Sequence, residues 1–313
     1  MGKASAIAGR GLAAAALLTG AGLPTRVEAA ACCMSATALG IGRLLTWEML
    51  AVGLRVSWAE GIGQWDTGAR FQLLDNGERE RLLTTQLWGM LRMSRRWSAY
   101  AAIPFVTPYR AIDGDGEWGA GFGDLRGGVR WDVVEPGESR RIPGIALHAA
   151  VLAATGRPTD RSRSTLGADV TGRGVWTLVT GATVEHSVET WFVRLDLGAT
   201  VPLPRRLDRP AVVQRFGPGV QGAVSGGYQL RSGLVVSSYL RATYEGRIRH
   251  DEDPLPRSSA RDTAAGLGLS WRVADHWTVQ AAVEAPLAAH GLGDNRFAYA
   301  LGTLGLRYGY WNF

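Results

Sequence analysis

Charged residues recur at alternate positions within several apolar segments of this chain. Arg130 and Asp132 stand two residues apart, as do Arg194 and Asp196. Residues two apart on an extended strand share a face, so each pair would lie on one polar side. The charges that share such a face are Arg92, Arg126, Arg130, Arg194, Arg241, Arg272 and Arg307, with Asp124, Asp132, Glu185, Asp196, Glu245 and Glu284. A face of this kind can pair charges between strands or guide a charged solute.

Two adjacent cysteines provide a second kind of chemistry. Cys32 and Cys33, with Met34 beside them, could bind a soft metal ion, although no histidine stands at ligand spacing nearby. Three other fates stay open. Cys32 could carry a lipid, although Ala29 stands where a lipobox prefers leucine. The pair could form a vicinal disulfide, or the thiols could lie in an unstructured terminus and react with another molecule.

Catalytic motifs are missing from the sequence. The chain has 5 histidines, scattered through turns, loops and one strand, and no nucleophile elbow, metalloprotease, phosphate-binding or dinucleotide-binding motif in a fitting context. We therefore predict no enzymatic activity and no cofactor. The basic residues are interleaved with acidic ones rather than clustered, which argues against nucleic acid as a partner despite a net charge of +6.

Apolar-alternating segments that could position the charged face recur twelve times along the chain. We predict strands at Glu48 to Ala59, Arg81 to Ser94, Trp97 to Pro108, Gly121 to Val134, Gly144 to Gly156, Gly174 to Ser187, Glu189 to Val201, Phe216 to Leu230, Gly233 to Arg247, Thr263 to Ala274, Trp277 to Ala288 and Phe297 to Phe313. A further strand in Trp65 to Leu74 would change this count.

Short and long connections alternate between these segments. Short turns such as Arg95-Arg96 and Asp275-His276 alternate with longer stretches such as Arg157 to Arg173, which are rich in Gly, Asp and Arg. This alternation is typical of an all-β, up-and-down antiparallel barrel of the outer-membrane type, with short periplasmic turns and long external loops. About 12 strands, an even number, place both chain ends at the periplasmic rim.

The two faces of each segment differ in polarity. Trp277, Val279 and Ala281 share one face of the eleventh segment, while Gln280 and Glu284 share the other. Tryptophans stand at the short-turn ends of several segments, as expected at a membrane interface: Trp97, Trp131, Trp191, Trp271 and Trp277. Because every segment repeats the pattern at a length that suits a bilayer, we predict that the barrel is transmembrane.

The N-terminus has the features of an export signal. Lys3 and Arg10 precede an apolar stretch from Leu12 to Leu23, and Ala29-Ala30-Ala31 offers a cleavage pattern. We predict a signal peptide over residues 1–29, a periplasmic segment with the Cys pair over 30–46 and the barrel over 47–313. The terminal Phe313 resembles the signal read by the barrel assembly machinery. These features predict the outer membrane of a Gram-negative bacterium, with its lipid as a partner.

Three motifs, in order, resemble one family. The run from Gly121 to Trp131 (GFGDLRGGVRW) is similar to a "GxGDLxxGxKY" strand, Ile103 to Val106 (IPFV) to a "vPyv" strand end, and Ala153 to Gly156 (AATG) to "lPTG", in which Ala154 replaces proline. These belong to the outer-membrane transporters associated with the phenol degradation meta-pathway. The resemblance covers roughly residues 44 to 313. It implies an outer-membrane channel for small hydrophobic or aromatic compounds.

The polar face has two interpretations once the strands are closed into a barrel. The charges could form cross-strand pairs that fill a narrow lumen, or the arginines could steer anionic or aromatic carboxylate solutes. We expect a channel for passive uptake of small molecules. The alternative is a non-conducting structural or metal-linked accessory barrel that acts through its Cys-bearing N-terminus.

Overall fold

The computed structural model describes residues 42–75, 77–138, 141–208 and 211–311. Twelve long strands form the wall: β1 (Leu50–Trp65), β2 (Arg79–Arg92), β3 (Trp97–Ile112), β4 (Leu125–Val134), β5 (Gly144–Ala153), β6 (Thr177–Val188), β7 (Trp191–Pro202), β8 (Gly219–Gln229), β9 (Leu234–Glu245), β10 (Ala260–Arg272), β11 (Trp277–Pro286) and β12 (Arg296–Tyr310). Each predicted segment overlaps one of them, and β1 and β3 continue beyond the predicted ends at Ala59 and Pro108.

The strands form a closed antiparallel ring. Each pairs with its neighbours in sequence, and β12 pairs with β1 from Leu50 opposite Tyr310 to Trp65 opposite Arg296. Phe71–Leu73 folds back onto β1 within an external loop and adds no strand to the wall. The prediction of a twelve-stranded, up-and-down barrel of the outer-membrane type is confirmed.

Side chains alternate between the two sides of the wall. On β7, Val193 and Leu195 are 47% and 41% exposed, whereas Phe192 and Arg194 are 1% and 2% exposed. The exposed side is apolar because it faces lipid, and the buried side faces the lumen. Among the described residues, no helix has the length and apolar character that crossing a membrane would need.

Aromatic rings on the lipid side cluster at the short-turn rim, as predicted. Trp97 and Trp131 are stacked on adjacent strands with ring centroids 5.7 Å apart, and Trp277 lies 5.0 Å from Tyr308. Rings at this height hold the barrel at the boundary between lipid and water.

Large inward side chains lie against glycines on the neighbouring strand. A β-carbon on Gly128 would lie 2.6 Å from the Tyr100 ring, and one on Gly227 would lie 2.5 Å from the Phe192 ring. Real β-carbons do not approach so closely, so glycine is required opposite each ring. This packing accounts for part of the chain's high glycine content, 42 of 313 residues.

The external loops add structure above the wall. Short strands at Arg205–Asp208, Ala211–Arg215, Arg249–His250 and Asp253–Pro254 form a second, four-stranded sheet. It joins the loop between β7 and β8 to the loop between β9 and β10.

The inward and outward sides of β7 should respond differently to truncation. We expect Phe192→Ala to lower the free energy of unfolding by about 3 kcal/mol, since it empties a packed site. Val193→Ala, its control on the lipid side, should cost about 1 kcal/mol. Urea unfolding of both variants, refolded into lipid vesicles, measures the difference, and equal losses would contradict the assigned faces.

Candidate functional site

The periplasmic half of the lumen holds a layer of buried ion pairs. Arg194 donates to both carboxylate oxygens of Asp196, each at 2.7 Å, and Thr183 Oγ1 donates to the same carboxylate at 2.7 Å. Arg130 lies 2.8 Å from Asp132. Each pair therefore stands two residues apart on one strand, as the sequence spacing indicated.

A second layer of charges lies nearer the external rim. Arg241 contacts Glu284 at 2.7 Å and Asp262 at 3.0 Å, and the Tyr239 hydroxyl donates to Glu284 at 3.0 Å. Arg296 contacts Asp262 at 3.3 Å. These contacts join β9, β10, β11 and β12 through side chains alone. The layer therefore links strands that are not direct neighbours in the wall.

The lumen between the strands also contains a segment of chain. Residues 42–49 precede β1, and Leu44, Leu45 and Glu48 of this segment lie inside the barrel; Leu44 is 5% exposed and packs with Trp88, Met90, Tyr100 and Val179. The described part of the segment expected to lie in the periplasm is therefore inside the lumen. Burial of Leu44 among inward apolar side chains favours this position.

Ion pairs hold residues 42–49, which we call the lumen segment, to opposite sides of the wall. Glu48 is 1% exposed and forms a two-pronged pair with Arg307 on β12, with one N–O distance of 2.7 Å. Arg43 reaches Glu185 on β6 at 3.2 Å. Arg92 donates to the backbone carbonyls of Leu45 and Glu48 at 2.7 and 2.8 Å. The segment thus spans the lumen.

Two small cavities lie beside the lumen segment. Gly42 lines both of them. One cavity is bordered by Arg130, His148 and Arg194, and the other by Arg55 and Arg307.

An external loop crosses the other end of the barrel. Arg110 on β3 donates to the carbonyl oxygens of Leu166 and Gly167 at 3.2 and 3.3 Å, and Arg173 pairs with Glu245 on β9. Strands β3 and β9 stand six positions apart in a ring of twelve and so face each other. The loop between β5 and β6 therefore bridges the external mouth.

Carboxylates fix the conformation of this loop. Hydrogen bonds from Ser162 and the Arg163 amide hold the pKa of Asp169 well below its usual value, and the Arg157 guanidinium adds to the effect at 2.6 Å. A hydrogen bond from Ser164 likewise lowers the pKa of Glu117. Both groups remain ionised in mild acid.

The predicted lumen residues fall into three groups in the structure. Arg130, Asp132, Arg194 and Asp196 form the periplasmic layer, while Arg241, Glu245 and Glu284 belong to the external one. Arg307 binds the lumen segment, Arg126 faces the lumen on β4, and Arg272 is exposed at the end of β10.

Several further charged residues of the lumen were not singled out from the sequence: Arg43, Glu48, Arg55 and Asp262. Arg55 alternates with Leu54 and Val56 on β1, so its position on the inner face was readable from the strand pattern. Arg43 precedes the first predicted segment, and Glu48, its first residue, has the alternation phase of the exposed Val52 and Leu54, so the pattern places neither of them in the lumen. Asp124, also expected in the lumen, accepts from the Gly156 and Arg173 amides and so anchors the external loop.

The remaining predicted site residues lie outside the described part of the chain. These are Cys32, Cys33 and Phe313, together with the predicted signal peptide. Within the described ranges, no cluster of three or more His, Cys, Asp or Glu residues could hold a metal ion.

Comparison with known proteins relates the chain to solved barrels. The COG4313 outer membrane channel from Pseudomonas putida F1 superposes with a TM-score of 0.68 at 12% identity, over 85% of this chain and 97% of the channel. The NanC porin gives 0.49 at 7% identity (82% and 98% covered), and the CymD monoaromatic hydrocarbon channel 0.44 at 8% (85% and 89%). No protein-family profile and no curated protein sequence matches the chain. The first likeness shows a shared outer-membrane barrel fold.

The Glu48–Arg307 pair should control docking of the lumen segment. Arg307→Gln leaves a buried carboxylate without its partner, which costs about 3–5 kcal/mol, so the segment should loosen. The double variant Glu48→Gln with Arg307→Gln should recover most of the loss. The measurement is the rate of thiol labelling at Leu44→Cys, with Cys32 and Cys33 replaced by serine. Labelling as slow in Arg307→Gln as in the parent would contradict this role.

The external loop should keep its conformation in mild acid. Because the folded pKa of Asp169 is depressed, its stabilising contribution is present above about pH 4 and is lost as pH falls through the lowered value. A nitroxide on Thr165→Cys in a background without Cys32 and Cys33 should therefore keep constant mobility from pH 8 to about pH 4. Asp169→Asn should raise mobility at neutral pH, and unchanged spectra would refute the assignment.

Proposed function

We propose that this protein is a channel for passive uptake of small molecules across the outer membrane of a Gram-negative bacterium. The observation that supports this most is which part of the chain occupies the lumen at the periplasmic end. The lumen is filled there by the lumen segment, which belongs to no strand, rather than by wall side chains alone. A barrel whose interior closes with a separable segment can open without breaking its wall hydrogen bonds.

The lumen lining supports solutes that combine a polar group with an aromatic or apolar part. Trp88, Tyr100 and Met90 line the same spaces as Arg130 and Arg307. Guanidinium groups bind carboxylates, and aromatic rings pack against apolar solutes. The sequence resemblance to transporters of the phenol degradation meta-pathway supports small aromatic compounds as the solute class.

Liposome swelling tests the channel. Purified, refolded protein is offered a neutral sugar, benzoate and a hydrophobic aromatic compound in parallel. We expect slow influx through the unaltered barrel and several-fold faster influx in Glu48→Gln, since the lumen segment then loses its buried pair. Glu138→Gln, an exposed carboxylate beyond the end of β4, is the matched control and should leave the rate unchanged.

The buried ion pairs that hold the lumen segment to the wall also favour a second, non-conducting function. If no solute enters through either variant while the barrel is folded and heat-modifiable, the channel proposal fails. The protein would then be a non-conducting structural or metal-linked accessory barrel. In that case Cys32→Ser with Cys33→Ser should alter copper or redox handling, and normal handling would reject the accessory role.

A further inference from the structure

Two arginines end the lipid-facing side of β2 at its external end. From the short-turn rim upward, the outward positions of this strand are apolar or neutral: Leu91, Gly89, Leu87, Thr85 and Leu83. Arg81 and Arg79 come next on the same face, because residues two apart on a strand share a side. The change from apolar residues to arginine marks the height at which the strand leaves the hydrocarbon.

The position of Arg81 along the barrel agrees with this boundary. Arg81 lies opposite Tyr109 on β3, and the same strand begins with Trp97 at the short-turn rim. A strand rises about 3.3 Å per residue and tilts by about 40°, so Tyr109 lies about 30 Å above Trp97 across the membrane. Arg81 and Tyr109 are therefore at the level of the headgroups of the external leaflet.

Neighbouring side chains hold the guanidinium of Arg81 in place. Its central carbon lies 5.9 Å from the centre of the Trp58 ring and 5.7 Å from that of Tyr109. Its Nε donates to both carboxylate oxygens of Glu60, at 2.9 and 3.0 Å. The Trp58 Nε1 donates to the same carboxylate at 3.3 Å. A guanidinium fixed by two rings and a carboxylate loses little further freedom when it binds an anion.

This face keeps N–H donors and positive charge for a partner. The hydrogen bonds of Arg81 to described residues use its Nε and leave the two terminal nitrogens as donors. Arg79 is exposed and forms no ion pair or hydrogen bond with any residue that the structure describes. Glu60 is the one carboxylate that β1, β2 and β3 place on this side, and Arg81 already balances it.

We propose that Arg79 and Arg81 bind a phosphate group of lipopolysaccharide, the phosphorylated glycolipid of the external leaflet. Guanidinium groups form charge-assisted hydrogen bonds with phosphate, and Trp58 and Tyr109 pack against the apolar part of a lipid at the interface. The site lies on the outside of the wall. It goes beyond the proposed uptake function and exists whether or not the barrel conducts.

Native mass spectrometry of the refolded barrel in detergent tests the site. The probes are lipid A with both phosphates, lipid A from which the phosphates have been removed, and phosphatidylglycerol, each at the same concentration. We expect the phosphorylated lipid A to bind about tenfold more tightly than either of the others, since only it offers phosphate monoesters on a sugar headgroup. Equal affinity for lipid A with and without phosphates, or for phosphatidylglycerol, would overturn the proposal.

Variants separate this site from general attraction of anionic lipid. Arg79→Gln removes an exposed charge without a described partner, so the barrel should stay folded and heat-modifiable while phosphorylated lipid A binds about tenfold more weakly. Arg79→Gln with Arg81→Gln should remove the preference for phosphate. Arg231→Gln, in the exposed periplasmic turn between β8 and β9, is the matched control and should bind like the parent. An unchanged affinity in Arg79→Gln, or an equal loss in Arg231→Gln, would refute the site.

Discussion

The ring of backbone hydrogen bonds is the constraint on which the rest of this structure depends. Within a bilayer no water is present to satisfy an open strand edge, so the last strand must pair with the first. Here β12 and β1 pair over their whole lengths, from Leu50 to Trp65, with one shift near Gly61. Once the ring is closed, strand alternation assigns every wall side chain either to lipid or to the lumen.

Closing the ring buries charged side chains in the interior of the barrel. Arginines on the inner face are removed from bulk water, and each needs a partner within the barrel. Asp196, two positions along the same strand, supplies it for Arg194, while Glu245, Asp262 and Glu284 on three different strands supply it for Arg241 and Arg296. The pairs of Arg241 and Arg296 therefore act as cross-links between strands, and all the pairs occupy space inside the lumen.

At both ends of the lumen, the open cross-section is reduced by segments that are not part of the twelve wall strands. The two segments are held in place by different contacts. At the periplasmic end the lumen segment is held by Leu44 and by ion pairs from opposite strands. At the external end a loop is held by carboxylates that accept backbone and hydroxyl hydrogen bonds, as Asp124 and Asp169 do. The first closure depends on a few buried contacts and the second on a dense local network.

The sequence alone determined the barrel, its twelve strands and the face on which Arg130, Asp132, Arg194 and Asp196 lie. Strand periodicity and the alternation of short and long connections are local properties, so they can be recognised directly in the sequence. The pairing of Arg241 with Asp262 and Glu284 and the position of the lumen segment were decided by the tertiary structure. Each depends on residues distant in sequence that meet only when the ring closes, and no local pattern encodes which charges then find partners.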